Sequence, residues 1–273
     1  MKFNAFVKAI VAGAALTAVA SAQTKIIVKG SDTLGAKMVP QLAEKYKSEG
    51  NNVSFEIAAE GSSTCFTNLL AGTADFGMSS RSVKSSEKNK FASAGKDLIE
   101  HVAGVDMIAV IVNEANDVKA LTKDQVKGIF TGTITDWSEV GGKAGAINAF
   151  TRNTSSGTYK TFQKLAMDKV DYGKNTQKMA GNEQIAQEVA KDANGIGYVG
   201  LAYTNKPGIA AAAVNNVLPE PKNAADYALS RNLYYYSVGE PTGEVKKFLD
   251  WAKTSKDAGK VIEKVGFIAP PTK

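Results

Sequence analysis

The 273-residue chain has one cysteine, Cys65, and one histidine, His101. A lone thiol permits no intramolecular disulfide, and one thiol with one imidazole leaves too few nitrogen and sulfur ligands for a transition-metal site. Cys65 falls in a helical pattern and reads as a small buried apolar residue. The same scarcity argues against a hydrolase. A Ser–His–Asp arrangement would have to recruit His101, which follows Glu100 in an apolar context, and no serine lies in a nucleophile-elbow sequence. There is no Walker loop, and the glycine-punctuated stretch 195–200 reads as a strand because no helix start follows it. Asp32, Glu60 and Asp75 show no spacing that pairs them for acid–base work. The predicted catalytic set, metal set and cofactor set are therefore all empty.

Long apolar runs are also scarce. Residues 10–19 form an alanine-rich stretch, too short for the roughly 20 residues that span about 30 Å of hydrocarbon. Lys2 and Lys8 flank its start, and Ala20-Ser21-Ala22 supplies small residues at a cleavage position. Residues 1–22 thus read as a secretory signal peptide cut after Ala22, giving a periplasmic chain with no membrane insertion after cleavage. No cysteine stands near the cut to carry a lipid. The net charge of +6 falls by two with Lys2 and Lys8. Without any basic block, that excess does not indicate nucleic acid. Arginine is rare: Arg81, Arg152 and Arg231 stand against thirty lysines. Where lysine supplies ordinary surface charge, arginine marks places where a planar fork of donors matters.

What is present is an alternation of strands, hydroxyl-rich turns and helices. Residues 26–28 are β-rich and end at Gly30, and Ser31, Asp32 and Thr33 are N-cap types. One helix is predicted from Leu34 through Tyr46, stopping at Gly50-Asn51-Asn52. Val53, Phe55 and Ile57 alternate with polar residues as in a half-buried strand. Gly61-Ser62-Ser63-Thr64 opens a second helix, and Asp75 to Met78 is a short strand before Ser79-Ser80-Arg81-Ser82. Residues 84–97 read as a surface helix, residues 107–112 as a central strand, and Thr122 with Gln125 as a capping box. Residues 147–150 read as a strand that leads through Thr151-Arg152-Asn153-Thr154-Ser155-Ser156-Gly157-Thr158 into an amphipathic helix. Residues 168–182 read as a polar linker and 183–192 as a helix. A tyrosine-rich strand at 233–238 and two C-terminal helices complete the chain. This pattern predicts an α/β fold whose loops gather at the strands' C-terminal ends. No fixed-period repeat or Pro-rich linker divides it.

Helix starts expose unpaired N–H groups toward which the dipole draws negative charge. Three loops combine hydroxyls with a helix start, at 31–33, 61–64 and 155–158, and a fourth at 79–82 adds hydroxyls and Arg81. Together they predict an oxyanion site of neutral dipoles plus one or two guanidiniums.

Gly30-Ser31-Asp32-Thr33, Gly61-Ser62-Ser63-Thr64, Asp75 through Arg81, and Arg152 with Ser156-Gly157-Thr158 carry a family resemblance. So do Val126 through Gly132, Ile134 through Trp137, Ile196 through Val199 and the ending from Gly243 to Phe267. In this order they resemble the phosphate-binding proteins of bacterial ABC phosphate importers, the PstS family, over nearly the whole chain after residue 22. The resemblance implies a type 2 periplasmic binding protein with two lobes, each a mixed sheet flanked by helices, and ligand in the cleft between them. Lobe I is expected at 23–105 and 240–273, and lobe II at 106–239, with crossings near 104–107 and 238–240. The implied ligand is inorganic phosphate, the implied partner an inner-membrane ABC permease, and the expected state a monomer. Thr33, the amide of Leu34 and Ser62 are implied binders from the first lobe. Arg152, Ser156, Gly157 and Thr158 are implied from the second. The pattern departs from the family at Ser80, where better-known members carry an aspartate that accepts a proton from phosphate, and at Asn153-Thr154, where an acid is common. Asp32 is the substitute acceptor in this reading, and Arg81 either binds the anion or pairs with Asp32. The alternatives are another tetrahedral oxyanion such as sulfate, or a secreted phosphate-ester hydrolase.

Overall fold

The computed structural model describes residues 23–270; the signal peptide assigned to residues 1–22 lies outside them. The chain starts with β1 (Thr24–Gly30), α1 (Asp32–Gly35), α2 (Met38–Ser48), β2 (Val53–Ala58), α3 (Ser62–Ala71), β3 (Phe76–Ser79), α4 (Ser85–Ser93) and β4 (Leu98–Asn113). It continues with β5 (Ala120–Leu121), α5 (Lys123–Thr131), β6 (Asn148–Arg152), α6 (Gly157–Leu165), β7 (Thr176–Met179), α7 (Asn182–Lys191) and β8 (Gly195–Gly200). It closes with β9 (Ile209–Ala211), β10 (Ala213–Val214), β11 (Ser230–Val238), α8 (Gly243–Thr254) and α9 (Lys256–Val265).

The main sheet runs in the order β2-β1-β3-β11-β4-β8-β6-β7, and β9 also pairs with β4. Its architecture rests on β4, a 16-residue strand shared by two lobes. Residues 98–107 of β4 pair with β11, whereas residues 108–112 pair with β8. The change of partner falls between Met107 and Ile108. In the first lobe β1 lies between β2 and β3, parallel to both. In the second, β6 lies parallel to β8 and β7. Parallel strands followed by helices bring the loops after β1, β3 and β6 to the strand ends that face the other lobe.

Side-chain alternation explains the packing. Ile26 and Val28 of β1 are fully buried with Phe76 and Met78 of β3, under α2, α8 and α9. The second lobe centres on Phe130, Phe162 and Tyr198, the last two rings stacked at 3.8 Å.

Four elements differ from the sequence reading. The predicted helix from Leu34 to Tyr46 is two helices, broken at Ala36 and Lys37. Pro40 accounts for the break: in a continuous helix its ring would meet the Ala36 carbonyl and its missing N–H would leave that carbonyl unpaired. The linker at 168–182 contains β7, whose sequence Thr-Gln-Lys-Met carries little strand signal and is held by pairing with β6. Residues 98–106, with no clear period, extend β4 because they pair with β11 along its length. Finally, β11 falls within the span 106–239 expected for lobe II, yet Tyr234 to Tyr236 ladder with Ser79 to Gly77 of β3. The physical reason is aromatic packing: Tyr235 meets Phe76 edge-on at 5.3 Å and Tyr236 meets Phe66 at 4.9 Å, both in the first lobe. The glycines of β8 do have G-x-G-x-x-G spacing, but all lie in a buried strand that runs into a 3-10 turn at Leu201–Tyr203.

Candidate anion-binding cleft

The first lobe contributes three loop ends. Gly30, with φ of 137°, lets β1 turn sharply, and a Cβ there would meet the Met78 carbonyl at 2.1 Å. The turn delivers Ser31, Asp32 and Thr33 to the start of α1, where Ser31 and Thr33 are buried. Gly61, with φ of 129°, likewise launches α3 at Ser62. Ser62 Oγ accepts from the Ser80 amide at 2.9 Å and lies 3.1 Å from Ser80 Oγ, so the loops after β2 and β3 are locked together.

The second lobe contributes Arg152, the last residue of β6, and the start of α6. Ser156 caps that helix, accepting from the Tyr159 amide at 3.2 Å. Gly157 follows because nothing larger fits: a Cβ would lie 2.2 Å from Ser62 Oγ and 2.7 Å from Ser80 Oγ. Thr158 Oγ1 is 2.9 Å from Thr33 Oγ1. The Ser63 amide donates to the Ser155 carbonyl at 3.0 Å, and Ser155 Oγ to the Glu60 carbonyl at 3.1 Å. The lobes are therefore shut on one another. Thr33, Ser62, Ser80, Arg152, Ser156 and Thr158 are all buried along this contact.

Electrostatics centre on Arg152 and Asp32. Arg152 is 1% exposed, and Nη2 donates to the Ala180 carbonyl at 2.8 Å. Nη1 lies 3.1 Å from Asp32 Oδ2 but is not aligned for a hydrogen bond, so that contact is an ion pair only. Nε and Nη1 are thus buried donors without a hydrogen-bond acceptor. Burial lowers the Arg152 pKa and the Asp32 carboxylate opposes the shift, leaving a guanidinium that stays charged. Below it, the Tyr198 phenol is pushed up to about 12 by burial and remains a neutral partner 2.5 Å from Thr151 Oγ1.

Asn182, which sequence reasoning missed, ties the pair together. Its amide and Nδ2 donate to Asp32 Oδ2 at 3.0 and 2.6 Å, Nδ2 also reaches Thr33 Oγ1 at 3.3 Å, and Oδ1 accepts from Gly200 at 3.1 Å. Its only sequence signal was an asparagine beside a helix start, which ordinary capping explains equally well.

The remaining arginines serve differently. Arg81 forms a fork with Glu87, at 2.8 and 2.6 Å, and pairs with neither Asp32 nor the other hydroxyl loops beyond a 3.4 Å contact to Ser63. Asp32 takes Arg152 instead, because Glu87 holds the buried Arg81 over the Phe66 ring, 5.0 Å away. Arg231, the second residue of β11, donates to buried Asp106 at 3.0 and 2.7 Å and to the Ser80 carbonyl at 3.1 Å. It fixes the loop that carries Ser80. The Leu34 side chain packs in the core, so it offers the site no side-chain group. Among the described residues no group of three or more His, Cys, Asp or Glu side chains forms a metal cluster.

A family model described as a PBP superfamily domain matches residues 17–256. The phosphate-binding protein PstS of Staphylococcus saprophyticus is 34% identical over 257 residues, covering 89% of this chain and 80% of that one. PstS of Bacillus subtilis is 31% identical over 249 residues, covering 90% and 81%. This chain belongs to the PstS family. The fold agrees: a Clostridium perfringens protein crystallised with bound phosphate superposes with a TM-score of 0.82 at 31% identity, over 91% of this chain and all of that one. The PstS-family fold is a two-lobed mixed α/β binding fold with its ligand cleft between the lobes, and its members are substrate-binding proteins.

The two departures from the PstS pattern acquire a structural setting. Ser80 holds a donor hydroxyl against Ser62, not a carboxylate. Asn153 accepts from Ser155 Oγ at 2.7 Å and shapes the loop, so no acid of that loop faces Arg152. The carboxylate beside Arg152 arrives from across the cleft, as Asp32.

Proposed function

We propose that this protein binds inorganic phosphate in the interlobe cleft and delivers it from the periplasm to an inner-membrane ABC permease, working as a monomer and without catalysis. One observation carries the reading. Arg152 Nε and Nη1 are buried donors with no acceptor, on a guanidinium paired across the cleft with Asp32, which Asn182 joins to the Thr33 hydroxyl. Leaving a buried donor unpaired costs about 1–3 kcal/mol, more when it is charged. A tetrahedral oxyanion removes that cost and also accepts from the first-turn amides of α3 and α6. The relatives that carry phosphate in their names support the choice of anion. No described helix is long and apolar enough to cross a membrane.

In this reading Thr33, the Leu34 amide, Ser62 and Ser80 bind from lobe I, and Arg152, Ser156, Gly157 and Thr158 from lobe II. Arg81 acts through its fork with Glu87 to hold the 79–82 loop. The lobes turn about the Met107–Ile108 step of β4 and the entry to β11, so lobe I takes residues 23–107 with 230–270. Ligand stabilises the shut form, which the permease recognises.

Ser80 favours a second reading, sulfate, because a site of donors alone does not distinguish a protonated from an unprotonated dianion. Asp32 is our candidate discriminator. Arg152 and both Asn182 donors address Oδ2, leaving Oδ1 to accept the proton of hydrogen phosphate. Calorimetry of the processed protein with phosphate, sulfate, molybdate and a phosphate ester tests the class. We expect tight phosphate binding, weak sulfate binding and no ester turnover. In Asp32→Asn the preference for phosphate over sulfate should fall at least about tenfold, or about 1.4 kcal/mol. An unchanged preference would remove Asp32 from the role.

A further inference from the structure

Beside the hydroxyl cluster lies a cavity of about 390 Å³ whose charged lining is entirely basic: Arg81, Lys84, Lys160, Lys164 and Arg231. The Ser80 backbone is the partition between the two. Its carbonyl accepts from Arg231 Nη1 at 3.1 Å and Thr161 Oγ1 at 3.4 Å, both of which line the cavity, while its hydroxyl meets Ser62 in the cleft. The two arginines are already neutralised, by Glu87 and Asp106. Lys84, Lys160 and Lys164 have no carboxylate within ion-pair distance among the described residues, whereas most surface lysines near an acid are paired with it. Partial burial pulls the Lys84 ammonium below its ordinary pKa, Arg81 and Lys160 push in the same direction, and Glu87 opposes them.

We propose that this cavity is a second anion site, for a polyvalent phosphate anion larger than orthophosphate, and that its occupancy favours the shut form of the protein. The volume lies within the range of about 300–1,000 Å³ found for small-molecule sites. Three ammoniums without a carboxylate partner, one of them held by Gln163 at 3.4 Å, match a ligand of three or more negative charges, which a single orthophosphate does not supply at neutral pH. The walls belong to different lobes: Lys160 and Lys164 project from α6, and Lys84 from the loop after β3. A ligand that bridges them binds the shut arrangement better than an open one, so it and the cleft ligand must help each other by the same factor. This coupling rests on the proposed cleft reading; the site itself does not.

Pyrophosphate is the probe, and three proteins separate the outcomes by calorimetry. Wild type saturated with orthophosphate should bind one pyrophosphate without releasing the orthophosphate. Arg152→Ala, disabled in the cleft, should still bind pyrophosphate. The triple variant Lys84→Gln, Lys160→Gln, Lys164→Gln should lose at least about tenfold of pyrophosphate affinity, or about 1.4 kcal/mol. Orthophosphate calorimetry and thermal melting of the triple variant check that it is folded. Pyrophosphate that competes one-for-one with orthophosphate, or that binds the triple variant as well as wild type, would overturn the second site. Binding that is independent of orthophosphate would overturn its coupling to closure. Failure of orthophosphate to bind wild type would instead sink the cleft reading, with the Arg152→Ala arm still testing the cavity.

Discussion

Gly157 occupies the first turn of α6 with two serine hydroxyls 2.2 and 2.7 Å from where a Cβ would stand. Its backbone is ordinary helix, so alanine there costs nothing in conformation and gains slightly in helix propensity. The conflict is with Ser62 and Ser80 of the other lobe, and it arises only when the lobes meet. Gly157→Ala should therefore leave the melting temperature of the ligand-free protein near wild type while weakening phosphate binding about a hundredfold, or about 2.7 kcal/mol. Calorimetry and a thermal melt on the same preparation check both halves. Arg152 illustrates the other residue-scale principle, that a buried charge needs compensation. Asp32 supplies part of it from across the cleft, and two of the guanidinium nitrogens have no hydrogen-bond acceptor.

At the scale of elements, the site consists of helix starts brought together by strand ends. Asn182 opens α7 and joins it to α1 through Asp32 and Thr33, and to β8 through the Gly200 amide. Asn182→Ala keeps the helix and the backbone N–H that donates to Asp32, but strands the Gly200 N–H and takes the Nδ2 donor from the Asp32 carboxylate. Leaving such buried groups unsatisfied costs about 1–3 kcal/mol each. We expect a loss of about that size in a urea titration, with phosphate affinity reduced in parallel because Asp32 no longer meets Arg152 in a fixed pose. A titration indistinguishable from wild type would show that water replaces the amide without cost. The break between α1 and α2 has an equally local origin in Pro40, and it frees α1 to act as a separate short turn that points into the cleft.

At the scale of the molecule, β4 and β11 make both lobes one sheet, and His101 sits on that spine as the only histidine of the chain. Its Nε2 lies 3.0 Å from Ser237 Oγ, and half-burial lowers its pKa from 6.5 by desolvation, against the pull of Glu240. The sign follows from proton counting. As pH falls below about 6.5 the unfolded chain takes up a proton before the folded one does, so stability drops as pH falls through that window toward the lowered folded value. Phosphate-free protein should show this loss in urea titrations between about pH 7 and pH 5.5, and His101→Gln should abolish it. With a single imidazole, one NMR resonance reports the folded titration, and a midpoint at or above 6.5 would contradict the prediction.

Much of this protein was legible residue by residue. Local signals placed the glycine turns, the capped helices, the hydroxyl loops and the β-rich segments that alternate between them, because backbone conformation and capping depend on near neighbours. The hydroxyl loops were marked by such signals, the family resemblance implied Thr33, Ser62, Arg152, Ser156, Gly157 and Thr158 within or beside them, and these residues lie along one contact. Tertiary structure alone decided the rest. The strand β7 exists because β6 offers an unpaired edge, and the lobe that receives β11 is chosen by Phe66 and Phe76, far away in sequence. Arg81 turns to Glu87, Asp32 to Arg152 and Asn182 to both lobes because a buried charge takes whichever partner the packing brings within reach. Such pairings span up to 150 residues, and no local pattern in the chain records them.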